Sequence, residues 1–313
     1  MTLSLTFPGQ GSQAIGMGKA LADAYPEAKA VFDEVDEALG ESLSSLIWEG
    51  TPEELTLTQN TQPALMAVSL AATRALEAEG LSIENHVSHV AGHSLGEYSA
   101  LAAAGSLSIG DAARLLRTRG KAMQEAVPVG EGAMAVVLGL DLATVTEIAD
   151  LASQGAVCEV ANDNAAAQTV VSGEKNAVER AIDIAKSKGA KRAMLLPVSA
   201  PFHCRLMAPA AEVMAEALAS TKINAPVVPL IANVVAGPIN DPAEIRTRLI
   251  EQVPGSVRWR ESMQWMLDNG VTHQLEVGAG KVLTGLIKRM DRSLQAAAFG
   301  QPDDMEGAKA LWT

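Results

Sequence analysis

The chain has 313 residues, 48% of them hydrophobic and 3% aromatic, with a formal net charge of −13. That suits one large folded unit or two linked ones, with a core of Ala, Val, Leu, Ile and Met. The acidic balance argues against general nucleic-acid binding, and no apolar run approaches the ~18 residues of a membrane-spanning helix.

The N-terminal Met1-Thr-Leu-Ser-Leu5 lacks the basic start of a secretory signal. Leu3 to Phe7 reads as the first buried strand. Pro8-Gly-Gln-Gly-Ser-Gln13 is then a loop, followed by a predicted helix from about Ile15 to Ala24. Gly9-x-Gly11-x-x-Ala14 fits a loose dinucleotide-binding fingerprint. That fingerprint wants a second strand about twenty residues on, ending in an acid. Residues Pro26 to Leu39 instead carry Val31, Val35 and Leu39 at helical spacing. The other use of such a loop is to bring main-chain N–H groups close to a reacting oxygen.

Residues 41–62 read as loop-rich, with a short helix around Pro52 to Leu55. A helix is predicted after Gln62-Pro63, running to about Glu79. Val87 to Gly92 reads as a strand. It leads into Gly92-His-Ser-Leu-Gly96 and an apolar helix that Gly105 would close. Gly-x-Ser-x-Gly between a strand and a helix is the nucleophile-elbow pattern. The tight turn needs small flanking residues. It leaves Ser94 exposed at a helix N-terminus, where free N–H groups stabilise developing negative charge. Ser108 is positioned to cap the next helix, Ile109 to about Ala126. That helix carries Arg114, Arg117, Arg119 and Lys121, and Gly120 could let the Arg119 guanidinium lie along it toward a cavity.

From Pro128 the texture changes. The order strand (Ala133–Leu140), helix (Leu142–Ala152), two strands (Val157–Ala161, Thr169–Ser172), helix (Asn176–Ser187), strand (Ala193–Val198) predicts a small ferredoxin-like unit. It interrupts a larger α/β layer structure with a mostly parallel sheet. The predicted boundaries are 1–127 with 199–313 for the large part, and 128–198 for the insertion. Beyond it come a helix at Leu206–Leu218, a strand at Val227–Asn233, helices at Glu244–Gln252 and Val257–Asn269, a strand at Gln274–Val277 and a helix at Val282–Met290. The tail beyond Arg292 reads as irregular and peripheral.

A serine hydroxyl needs a base, and the chain has five histidines. His93 adjoins Ser94, but successive side chains at a turn point apart. His86 and His89 precede or lie within the elbow strand, and His273 opens a late strand. His203, after Pro201, is the favoured base because its loop could lie above the sheet. No acidic residue stands out to orient it, and a main-chain carbonyl or an amide could serve. Cys158 and Cys204 lack metal-type spacing and read as free thiols of a cytoplasmic protein, Cys204 as a small buried filler.

Five ordered motifs now stand together: Phe7-Pro-Gly-Gln-Gly-Ser-Gln13, Gly92-His-Ser-Leu-Gly96, Arg119 to Pro128, Ala200-Pro-Phe-His203 and Gln252-Val-Pro-Gly-Ser-Val-Arg258. In these the chain resembles the malonyl-CoA:acyl carrier protein transacylases of bacterial fatty acid synthesis, over roughly residues 3–290. The resemblance implies an α/β-hydrolase-like core with the inserted ferredoxin-like subdomain. It implies Ser94 as acyl acceptor and His203 as base, with the carbonyl of Gln252 holding the imidazole. The main-chain N–H groups of Gln10 and Leu95 would form the oxyanion hole, and Arg119 would pair with the malonyl carboxylate. Phe202 is the type found where malonyl is preferred over methylmalonyl. Asn162 and Asn164 match a motif near the pantetheine arm, although Ala165-Ala-Ala167 follows where Ser-Pro-Gly is common.

The implied reaction is a ping-pong transfer from malonyl-CoA to an acyl carrier protein, with no metal or redox cofactor and no nucleic-acid or membrane partner. The carrier is typically acidic, so docking onto this acidic chain needs a local basic patch. Lys186, Lys188, Lys191 and Arg192 form one candidate, and Arg114 with Arg117 another. The rival readings are a polyketide-type acyltransferase, a serine esterase or thioesterase, and an inactive carrier-binding scaffold.

Overall fold

The structure, a computed structural model, describes residues 2–312. Its strands in chain order are β1 (Leu3–Phe7), β2 (Val87–Gly92), β3 (Gly132–Leu138), β4 (Cys158–Ala165), β5 (Gln168–Glu174), β6 (Arg192–Leu195), β7 (Leu230–Ala232), β8 (Gly237–Ile239), β9 (His273–Val277) and β10 (Gln295–Phe299). They form two sheets. The larger runs β10-β9-β1-β2-β7-β8, and the smaller runs β4-β5-β3-β6.

In the larger sheet all neighbours are parallel except β7 with β8. Every residue of β1 is buried, as expected for a central strand covered on both faces. β1 and β2 lie side by side in the middle, with Phe7 opposite Gly92. Their two following loops therefore emerge together at the carboxyl end of the sheet, the position where open α/β folds place their chemistry.

The smaller sheet is antiparallel throughout. With its two helices, Leu142–Ser153 and Lys175–Ser187, it has the ferredoxin-like strand order. Alternation along β3 divides its side chains. Ala133, Ala135 and Val137 pack with those helices, while Met134 and Val136 face the main core. The small sheet thus turns one face to its own helices and the other toward the large unit. β4 is also joined to the large unit directly: Val257 N–H donates to Ala161 O at 2.8 Å, and Asp163 N–H donates to Val257 O at 3.0 Å. The buried Asp163 carboxylate is paired with Arg260 at 2.7 Å.

Local chemistry sets several helix ends. Pro26 opens the helix Pro26–Leu39, and Gly40 closes it in left-handed backbone. Ser108 accepts from Asp111 N–H at 3.0 Å and starts the helix Ile109–Glu125. Asp241 does the same for Glu244 at the helix Pro242–Gln252.

Several sequence expectations are corrected. The first helix starts at Lys19, not Ile15, because Gly16 and Gly18 both take left-handed backbone before it. The region expected to be loop-rich contains a helix at Leu43–Glu49. The long helix begins at Thr58 and carries Pro63 inside it, not before it. Its first turn is tied to the preceding short helix, with Thr61 Oγ1 donating to Leu55 O and Asn60 Nδ2 to Glu54 O. The tail is not irregular: β10 pairs in parallel register with β9 from Gln295–His273 to Phe299–Val277. Its Ala296-Ala-Ala298 has no strand propensity of its own, and the neighbouring strand imposes the conformation. β8 contains Pro238, which an edge strand tolerates.

Candidate active site

The elbow has the geometry its glycines allow. A Cβ on Gly92 would lie 1.9 Å from the Gly96 carbonyl, and one on Gly96 would lie 2.3 Å from Phe7 O. Strand, turn and helix therefore close to distances that no side chain would permit. Ser94 sits at the tip with φ 53°, a left-handed conformation that costs a serine energy. Asn233, just after β7, braces both sides of the turn. Its Oδ1 accepts from Ser94 N–H at 2.8 Å, and its Nδ2 donates to Gly92 O at 2.7 Å.

His203 comes from the loop before the short helical turn Arg205–Met207, itself at φ 58°. Its Nε2 lies 2.7 Å from Ser94 Oγ. Its Nδ1 lies 3.1 Å from the main-chain oxygen of Gln252 and 2.9 Å from that of Gly255. Both oxygens only accept, so the hydrogen belongs on Nδ1, and Nε2 is free to take the serine proton. The Gln252 expectation is thereby made specific: the main chain of Gln252, together with Gly255, holds the ring. Burial, then the Arg119 charge and His93, push His203 down to about 3, which keeps the imidazole neutral.

Arg119 is 1% exposed. Its Nη1 donates to Gln62 Oε1 at 2.8 Å, and its Nη2 to Gln252 Oε1 at 2.8 Å and to Ser94 Oγ at 3.2 Å. Both of its side-chain amide partners are neutral, so among the described residues no carboxylate touches this buried cation. The Gln252 amide is fixed from its other end, where Nε2 donates to Ser94 O at 2.9 Å and to Glu97 Oε2 at 2.7 Å. Glu97 is fully buried in the helix Gly96–Ala103, and that burial raises its carboxyl to about 7. The Arg119 guanidinium does reach the cavity, and Gly120 lets two helices touch. A Cβ there would lie 2.6 Å from Gln59 Cα.

These groups open onto a cavity of about 490 Å³, whose walls include Gln10, Leu95, Met134, Asn162, Leu196 and Phe202. The main-chain N–H groups of Gln10 and Leu95 donate to no protein acceptor among the described residues. They lie in the two adjacent loops that follow β1 and β2. Nucleophile, neutral base, free donors and a cation suited to a carboxylate thus share one cavity. A larger groove of about 710 Å³ near Pro128 and Lys175 is lined by no such pair. Among the described residues no cluster of His, Cys, Asp and Glu could hold a metal ion, and no helix is long and apolar enough to cross a membrane.

The remaining expected residues divide. Asn162 and Phe202 line the cavity. Asn164 lies outside its lining and holds His93, with Oδ1 2.8 Å from the ring Nε2. Arg117 is engaged by Asn60 and Glu41, and Arg114 by Asp111 at 2.8 Å, so neither is a free cation. Lys188 pairs with Glu147 at 2.8 Å and Lys186 with Asp183 at 3.8 Å, whereas Lys191 and Arg192 are exposed without a carboxylate partner among the described residues. Cys204 is a buried thiol whose pKa burial pushes up to about 11. The sequence reading missed Gln62, Glu97 and Asn233. Only Glu97 left a signal, as the lone acid in an apolar helix.

Fold and site define the class: an α/β enzyme that handles acyl groups through a serine on a strand-to-helix elbow. The comparisons agree. Residues 5–299 match the family described as the acyl transferase domain, and the chain belongs to that family. The malonyl CoA-acyl carrier protein transacylase of Bacillus subtilis is 48% identical over 305 residues, covering 97% of this chain and 95% of that protein. Among solved structures, the acyl-carrier-protein S-malonyltransferase of Bartonella henselae aligns with a TM-score of 0.98 at 54% identity, covering 100% of both chains. A malonyl-transacylase solved in complex with a type II polyketide acyl carrier protein aligns at 0.95 and 43% identity, covering 98% of this chain and 99% of that one.

Proposed function

We propose that this enzyme transfers malonyl from malonyl-CoA to the pantetheine thiol of an acyl carrier protein, through a malonyl ester on Ser94. The observation that carries the reading is the contact of Arg119 with Ser94 Oγ at 3.2 Å, a buried cation beside the nucleophile with no carboxylate partner among the described residues. A planar guanidinium suits the free carboxylate of a malonyl group.

His203 Nε2 takes the Ser94 proton as Oγ attacks the thioester carbon. The tetrahedral oxyanion sits on the N–H groups of Gln10 and Leu95, each worth roughly 3 kcal/mol of barrier. The C–S bond breaks, and the imidazolium returns its proton to the CoA sulfur. The carrier thiol then gives its proton to His203, attacks the ester carbonyl and leaves as malonyl thioester, and Ser94 regains its hydrogen. Thioester replaces thioester, so the exchange runs both ways.

Residues 128–198 are read as an inserted subdomain that supplies the far wall of the cavity. Lys191 and Arg192 on it are the favoured docking charges for an acidic carrier. The expected setting is the cytoplasm and the pathway fatty acid synthesis. A polyketide carrier is the second reading, favoured by the aligned complex with such a carrier. The test is to mix the protein with malonyl-CoA, quench in acid and weigh the intact chain, then add fatty acid or polyketide carrier proteins separately. A malonyl mass increment on Ser94 that moves to a carrier supports the reading. No increment, or rapid release of free malonate, contradicts it.

A further inference from the structure

We infer that Glu97 is the proton acceptor that balances the incoming substrate carboxylate, so that malonyl loading draws a proton into the buried site. The inference rests on the proposed function and names a further specificity-determining residue within it. The site holds one buried cation and one buried anion, Arg119 and Glu97, joined through a single amide. Gln252 Oε1 accepts from Arg119 at 2.8 Å, and Gln252 Nε2 donates to Glu97 at 2.7 Å. A malonyl group brings a second anion against the buried Arg119. An uncompensated buried charge is expensive, and the least costly answer is to neutralise a group already present.

Glu97 can be neutralised without losing a contact. Its Oε2 accepts from Gln252 and, at 3.3 Å, from the Asn233 main-chain N–H, while its Oε1 has no partner among the described residues. A proton on Oε1 leaves both bonds intact, so the Gln252 amide keeps its orientation toward Arg119. The charged and titratable groups around it are few. Arg119 faces it from the helix Ile109–Glu125, and Tyr98 adjoins it on its own helix. The helix Pro242–Gln252 and the segment after β7 present the neutral Gln252 and Asn233. His203, beyond Ser94, is held neutral. The carboxyl already stands near 7, within reach of a second negative charge.

The sign follows by linkage. An anion at Arg119 raises the Glu97 pKa, so a proton is taken up, and loading weakens as pH rises above about 7. Acetyl-CoA, lacking a carboxylate, does neither. The experiment mixes the protein with malonyl-CoA or acetyl-CoA at pH 7.5 in lightly buffered indicator solution, scoring acyl-enzyme by intact mass in the same samples. Thiol release is common to every arm. The expected result is uptake of up to one proton per malonyl group bound, none per acetyl group, and none when Glu97→Gln loads malonyl. Equal uptake with the two thioesters, or undiminished uptake in Glu97→Gln, overturns the inference. If that variant does not fold, equal uptake with the two thioesters in the wild type still overturns the inference. Absence of any malonyl adduct is a different failure, which removes the proposed function and this inference with it.

Discussion

Ser94 and His203 are both held in left-handed backbone, at φ 53° and 58°, and meet with Oγ and Nε2 2.7 Å apart. That conformation is uncommon for any residue but glycine, so the surrounding structure imposes it. The elbow glycines and Asn233 hold one residue, and the carbonyls of Gln252 and Gly255 hold the ring of the other. Strain at two facing positions is the mark of a site whose geometry outranks local preference.

That strain can be measured. Ser94→Ala and Ser94→Gly should both abolish acylation. Ser94→Gly should be the more stable of the two by about 1 kcal/mol, because glycine carries no penalty at positive φ. Chemical denaturation of the pair checks this, and equal stability would show the tip to be unstrained.

His203→Ala should lower malonyl loading by about 10³-fold or more, as expected when a serine loses its base. The neutral ring predicts pH behaviour as well. Its folded pKa is depressed to about 3, so the unfolded chain binds this proton more readily. The stability contribution is complete above the ordinary histidine value and is lost as pH falls toward the folded value. Loading rates should therefore show no acid limb near 6.5, and His203→Gln should flatten the loss of stability on acidification. Rapid-quench rates and melting curves from pH 5 to 8 test both.

Arg119→Ala should cut kcat/KM for malonyl-CoA by about 100-fold, the worth of roughly 3 kcal/mol of charged hydrogen bonds. Acetyl transfer should fall far less, and Arg119→Lys should not restore selectivity, because a point charge lacks the planar fork. Equal losses on both thioesters would remove the arginine from substrate recognition.

Gly120→Ala places a methyl group 2.6 Å from Gln59 Cα, at backbone that cannot move aside cheaply. A loss of about 1–3 kcal/mol is expected. The neighbouring Arg119 should shift with the helix, so malonyl selectivity should decline together with the melting temperature. A full-stability variant would contradict the close helix contact.

Reversing charge at Lys191 and Arg192 should raise KM for the carrier protein and leave KM for malonyl-CoA unchanged. The same change at Arg117 should instead cost stability, because that side chain is tied to Asn60 and Glu41. Steady-state kinetics with each substrate varied in turn separates the two.

Much of this protein is written in short stretches of its chain. Gly92-x-Ser94-x-Gly96 specifies the elbow because backbone sterics act within five residues. The caps at Ser108 and Asp241 and the stop at Gly40 are equally local. The resemblance of ordered motifs then joined Arg119 and Gln252 to His203, which the position of its loop had already favoured. The partners of those residues were not legible. Gln62, Glu97, Asn233 and Gly255 reach the site from four separate segments, and, Glu97 in its apolar helix aside, each contributes an amide or carbonyl that sequence cannot distinguish from a surface group. The strand Gln295–Phe299 was hidden for a related reason, since its alanines adopt an extended form only because β9 offers unpaired hydrogen bonds. Short-range sterics fixed the nucleophile's turn. Long-range packing alone decided which buried charges face one another, because the balance of buried charges depends on distance in space and not along the chain.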